Sequence, residues 1–152
     1  MYKIIRLNQS ENLLKKTAQE LMYQVLWAPY DISPENTCEI LEKNQINDSY
    51  YVAITNTRVD MIGCMVTREE GYTLEIKHLA VKEEFQRKGV GRSLFNHVLN
   101  SSTCKYVEVI ARNTSRIFWE KLGFNPCGRW IKHPLFTKHG IIFRKYCYNY
   151  NI

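Results

Sequence analysis

The chain has no C-x-x-C pair, no run of five consecutive basic residues, and no apolar stretch near the roughly 20 residues a helix needs to cross a bilayer. The first absence argues against a zinc ribbon or a disulfide framework. Its five cysteines, Cys38, Cys64, Cys104, Cys127 and Cys147, are odd in number and scattered, and they read as free thiols of a reducing cytoplasm. Cys64 and Cys104 sit in apolar contexts that suggest core, and Cys127 is the one to watch as a reactive thiol. No metal site is expected. The second absence weakens a nucleic-acid reading of the net charge of +6, which a surface excess and a basic pocket for an anionic ligand also explain. The third argues against a membrane span, and residues 1–6 lack the apolar core of a signal peptide and read as a strand. With only seven glycines and four prolines, the chain shows no linker, repeat or low-complexity tract.

What is present describes one domain, 1–152, with 45% hydrophobic and 24% charged residues, long enough to bury a core. A weakly alternating strand at 3–7 precedes a helix with Ser10 as N-cap and an apolar face from Leu13 to Val25, which Pro29 stops. Ser33-Pro34 opens a second helix ending near Asn44. Strands at 50–55, 59–67 and 72–81, separated by polar turns, form an antiparallel meander. A helix at 90–100, a strand at 105–110, a helix at 114–122 closed by Gly123, and a hairpin of 124–131 with 141–148 complete the order β-α-α-β-β-β-α-β-α-β-β.

The most informative stretch is Gln86-Arg87-Lys88-Gly89-Val90-Gly91-Arg92, between a strand-like and a helix-like run. Its glycines let a ligand approach the backbone. The first N–H groups of the helix have no intrahelical partner and lie at the positive end of its dipole, and Arg87, Lys88 and Arg92 add full charge. This is a seat for phosphate. The Lys-Ser/Thr ending of a Walker A loop and the third glycine of a dinucleotide fingerprint are both missing, which favours a different diphosphate-bearing ligand.

Leu79-Ala80-Val81 followed by Gln86-x-x-Gly89-x-Gly91 resembles the acetyl-CoA motif of the GNAT N-acetyltransferase superfamily, and Phe118-Trp119-Glu120-Lys121-Leu122-Gly123-Phe124 resembles its Phe-Tyr-Glu-Lys-Leu-Gly-Phe helix end. The two motifs span 74–124; the flanks match in element order only. The resemblance implies a mixed α/β (α+β) fold: a mostly antiparallel sheet of about seven strands with helices on both faces. Strands 74–81 and 105–110 would run parallel and splay, and the pantetheine arm of acetyl-CoA would add to the edge of the first. The implied reaction is transfer of an acetyl group to a primary amine, on a small molecule or a protein, by direct attack in a ternary complex.

The resemblance also assigns roles. The amides of Arg87 to Arg92 take the diphosphate and Leu79, Ala80 and Val81 the pantetheine, while the backbone near Leu79 stabilises the oxyanion. Glu75 is the first choice as base, through water, and His78 the competitor; strand parity places the two on opposite faces. Where the family has its tyrosine acid stands Trp119, which cannot deliver a proton; Ser115, otherwise a helix cap, is one substitute donor. A pantetheine-touching asparagine maps to either Arg112 or Asn113. Trp27, Tyr30, Asp31, Trp130 and Phe136 are the material for an acceptor pocket suited to a cation. Two other readings stay open: a catalytically weak acyl-CoA-binding regulatory module, motivated by Trp119, and a basic nucleic-acid-binding domain. Monomer and homodimer are both open, since edge strands of the last hairpin can pair between copies.

Overall fold

The computed structural model describes residues 1–37, 47–56 and 60–149. Its strands are β1 (Tyr2–Arg6), β2 (Asp48–Thr55), β3 (Met61–Glu70), β4 (Thr73–Val81), β5 (Tyr106–Arg112), β6 (Phe124–Lys132) and β7 (Ile142–Tyr148). Its longer helices are α1 (Asn12–Met22), α2 (Val90–Ser101) and α3 (Arg116–Leu122). The seven strands form one mixed sheet in the order β1-β2-β3-β4-β5-β7-β6. The pairs β1–β2, β2–β3, β5–β7 and β6–β7 are antiparallel, and β4–β5 is parallel, as expected from the sequence.

Two compact units divide the chain, one of residues 1–68 and 78–102, the other of 69–77 and 103–152. In the first unit the sheet is covered on both faces. On one face the Cys64 thiol donates to the Ala18 carbonyl of α1 at 3.7 Å, and Gln19 donates to the Tyr50 hydroxyl at 3.0 Å. On the other face Gly63 lies under Val90 and Leu94 of α2, so that an added Cβ would come within 3.1 Å of the Val90 methyl. Across the two faces of this unit Tyr50, Val52, Met65, Leu94 and Phe95 are almost wholly buried. In the second unit α3 caps β5 and β6 through Trp119, Phe124 and Tyr148, whose rings follow one another at 5.2 and 5.3 Å.

Several local expectations are corrected. Glu11, not Ser10, occupies the N-cap of α1 and makes no side-chain cap bond; instead its carboxylate accepts from the Asn8 amide at 3.1 Å. The first helix does not run on as α to Pro29: it widens to a π turn over Tyr23–Trp27 and tightens to 3₁₀ over Ala28–Tyr30. A widened turn inserts one extra residue per turn and re-aims the side chains after it, and Trp27 ends buried. The segment expected as helix to Asn44 is helical over 34–37, and its remainder lies outside the described residues, as does most of the turn expected at 56–58.

Cys127 and Cys147 are joined in a disulfide, against the reading of all five cysteines as free thiols. The reason is register. Asn125 pairs with Cys147, and a register shift between Pro126 and Trp130 carries Cys127 back to it at a Cα separation of 6.0 Å, within the span a disulfide bridges. Twenty residues of intervening chain hide this from a search for short spacings. Cys104 is half-buried in the loop before β5 rather than in a strand core, while Cys64 is buried as expected.

Candidate active site

The turn from β4 into α2 is built by its own residues. Lys82 accepts from the Phe85 amide at 2.8 Å, Glu83 from the Gln86 amide at 3.2 Å, and the Gln86 side chain reaches back to the Val81 carbonyl at 2.9 Å. Gln86 therefore clamps the turn. Arg87 is held in the left-handed region at φ 63°, a placement that costs a non-glycine residue on the order of 1 kcal/mol. Gly89 follows at φ 87° as the N-cap of α2, and its Cα opens onto free space. The Ser93 amide makes the first helical bond, to Gly89 at 2.9 Å. The amides of Val90, Gly91 and Arg92 precede that bond, and no side chain caps them. Arg87, Lys88 and Arg92 are exposed beside them. This is an uncapped, positively polarised helix end fit for a diphosphate.

The burial alternation along β4 puts Leu74, Ile76, His78 and Ala80 on one face and Glu75, Lys77, Leu79 and Val81 on the other. The opposed parity expected of Glu75 and His78 is present. His78 meets Trp27, one of the residues expected to supply an acceptor pocket, edge to face at 5.4 Å within the first unit. Within the second unit, the register of β4 with β5 runs from Thr73–Tyr106 to Ile76–Val109, and Glu75 lies beside Glu108. Lys145 reaches Glu108 at 3.4 Å. Tyr30 is half-buried, and Asp31 is exposed at φ 58° after the 3₁₀ turn. In the second unit Trp130 is 42% exposed under the Arg144 guanidinium, 5.3 Å away.

The acetyltransferase (GNAT) domain model matches residues 47–126, more than half of the sequence, with the β4 strand, the clamped turn and α3 inside it. The chain belongs to the GNAT acetyltransferase family. A comparison with curated proteins gives no significant match. Among solved structures, the IAA acetyltransferase from Bacillus cereus is 21% identical with a TM-score of 0.71, over 97% of this chain and 99% of that one. A GNAT family acetyltransferase from Elizabethkingia anophelis with acetyl-CoA bound is 20% identical, TM-score 0.72, over 98% of each. The ribosomal-protein-S18-alanine N-acetyltransferase from Escherichia coli is 16% identical, TM-score 0.72, over 97% and 93%. At these identities the likeness is one of fold.

Residues proposed for the GNAT site on resemblance alone have other work visible in the structure. Asn113 uses its amide nitrogen on the Gly140 carbonyl and its oxygen on the Ile142 amide, both at 3.2 Å, pinning the loop between β6 and β7. The Arg112 guanidinium stands over Phe136 at 4.7 Å and Phe143 at 6.0 Å. Ser115 occupies the N-cap position of α3 but makes no side-chain cap bond; its hydroxyl donates instead to the Arg112 carbonyl at 3.1 Å. Trp119 is only 4% exposed and packs between Phe118 and Phe124. The Asn113 and Arg112 contacts have no short-range sequence signal, because they join positions that only the β5–β7 pairing brings together.

Cys64 is no nucleophile. Burial pushes its thiol up to about 12, against the opposing pull of a backbone bond at Ala80. At pH 8 the reactive thiolate is a trace species. Titrating the native protein with a thiol reagent at that pH should therefore count the same number of reacting groups in Cys64→Ala as in the parent; one group fewer would contradict the assignment.

Among the described residues no helix is long and apolar enough to cross a membrane.

Proposed function

We propose that the chain transfers the acetyl group of acetyl-CoA to a primary amine by direct attack in a ternary complex. The observation that carries the reading is the uncapped N-terminus of α2 behind the Gln86 clamp. The diphosphate of the donor sits on the amides of Val90, Gly91 and Arg92, with Arg87 and Lys88 balancing its charge. Its pantetheine runs beside Leu79, Ala80 and Val81 at the end of β4. One acetyltransferase of this fold was solved with acetyl-CoA bound. Backbone near Leu79 meets the oxyanion as the tetrahedral intermediate forms; preorganised donors there act on charge that grows only in the transition state. Gln86 and Asn113 act as positioning residues, holding the turn and the β6–β7 loop.

Attack requires a neutral amine. Glu75 takes the proton through water, on the β4 face it shares with Leu79. A second reading assigns the base to His78, and one observation favours it: His78, not Glu75, lies against Trp27, on the acceptor side. The discriminating experiment compares Glu75→Gln with His78→Gln in steady state, across pH, alongside acetyl-CoA affinity. The first reading expects Glu75→Gln to lower kcat about 10²-fold, the lower end for a lost general base, with affinity near the parent's and His78→Gln close to normal. The reverse pattern transfers the role to His78. If neither variant slows turnover, the amine loses its proton to solvent.

Acetyl-CoA alone should raise Tm, since a ligand of the native state stabilises by mass action. Thiol release with a panel of amines then separates an active transferase from a donor-binding regulatory module.

A further inference from the structure

Residues 121–152 contain Lys121, Arg129, Lys132, Lys138, Arg144 and Lys145 and not one Asp or Glu. The rest of the chain balances 15 basic against 15 acidic residues, so the whole net charge of +6 belongs to this last segment. The segment includes β6, which among the described residues is an edge strand with β7 as its one neighbour. Arg129, Trp130, Ile131 and Lys132 are consecutive and exposed on it, Trp130 at 42% and Ile131 at 50%. The strand is fixed: Cys127 is bonded to Cys147, and Arg144 donates to the Gly128 carbonyl at 2.7 Å while lying over Trp130.

We propose that β6 is a docking edge for an extended acidic peptide segment of a partner, which adds to the sheet as a further strand. An edge strand presents a row of backbone donors and acceptors. Arg129 and Lys132 select acidic side chains on the incoming strand, and Trp130 and Ile131, which alternate across the two faces, meet apolar ones. Lysine, proline and a bulge on an edge also serve to repel other strands, and Pro126, the register shift and Lys132 fit that guarding role. Guarding leaves an exposed tryptophan and isoleucine unexplained; large aromatic residues are the usual anchors of an interface. A second copy of the chain is the wrong occupant, because like charges brought opposite one another across paired strands repel. Nucleic acid meets the charge but cannot satisfy a strand's backbone groups.

The test is fluorescence anisotropy with a labelled peptide of about ten residues alternating Glu and Val, a strand's period, and its Lys-Val counterpart. Hydrogen exchange of the β6 amides is read in parallel. The proposal expects binding of the acidic peptide alone, weakening with salt, slowed exchange in β6, and at least a tenfold loss in R129E/K132E and in W130A. Those side chains are exposed, so an unchanged Tm certifies the fold of each variant. No preference for the acidic peptide overturns the proposal. So does full affinity in the charge-reversed variant, or displacement by oligo-dT with no β6 protection, which marks a plain polyanion surface. A dimer whose β6 amides are protected without peptide also overturns it, in favour of self-pairing.

Discussion

Gly89→Glu should weaken acetyl-CoA binding at least 100-fold, a change of about 2.7 kcal/mol, while leaving a folded protein. Two effects combine, and they can be separated. Gly89 sits at φ 87°, where any side chain strains the backbone by about 1 kcal/mol. The space in front of it is open, with no atom within 4 Å of an added Cβ, so the protein itself does not clash. The glutamate carboxylate takes the helix end that the diphosphate needs and repels what remains. Stability should fall by only a few degrees in Tm, since roughly 1 kcal/mol moves a domain of this size about 2–4 °C. Part of that loss is returned, because a negative charge at the N-terminus favours the helix. Gly89→Ala is the control: it carries the strain without the charge and should lose less than tenfold in affinity by calorimetry. Equal losses in the two variants would mean that backbone strain, not the anion seat, governs binding. An unchanged affinity in both would remove the seat altogether.

The turn proposed as that seat was legible because its information is local. Gln86, Gly89 and Gly91 lie within six residues, and the strand before and helix after them declare themselves by period. The same holds for the end of α3, where Gly123 takes φ 106° as the expected left-handed cap. Elements generally appear within one to three residues of where hydrophobic period and turn residues put them, while the parallel β4–β5 pair was an expectation from the family resemblance. What could not be read depends on which residues become neighbours across strands. The Cys127–Cys147 bond needs the register shift after Pro126; the Asn113 clamp needs β5 beside β7; the Trp27–His78 contact needs the widened turn at Tyr23–Trp27. Helix propensity contains nothing that selects a π turn over an α turn there. Glu75 against His78 was half legible: parity separated the faces, but only packing shows which face carries Trp27.

Trp119→Ala should be the most destabilising single change among the proposed site residues. The indole is 4% exposed, edge-on to Phe118 at 4.9 Å and Phe124 at 5.2 Å, and Phe124 in turn meets Tyr148. Emptying such a site costs about 3–5 kcal/mol, a large part of the roughly 5–15 kcal/mol that holds a domain folded. Chemical denaturation should show the midpoint falling with the slope unchanged; a loss below about 1 kcal/mol would mean the ring stack is not a core, since surface-type changes stay in that range. Trp119→Tyr asks the chemical question with a smaller cavity, because it keeps an aromatic ring and restores the hydroxyl that the family carries at this position. A thiol with a pKa of roughly 8.5 is a tolerable leaving group without a proton donor. Turnover in Trp119→Tyr should therefore stay within about twofold of the parent, well under the 10²-fold or more that a general acid contributes when proton transfer limits the rate. A tenfold rise would instead show that departure of the thiolate is rate-limiting, and that tryptophan at 119 holds the parent enzyme back.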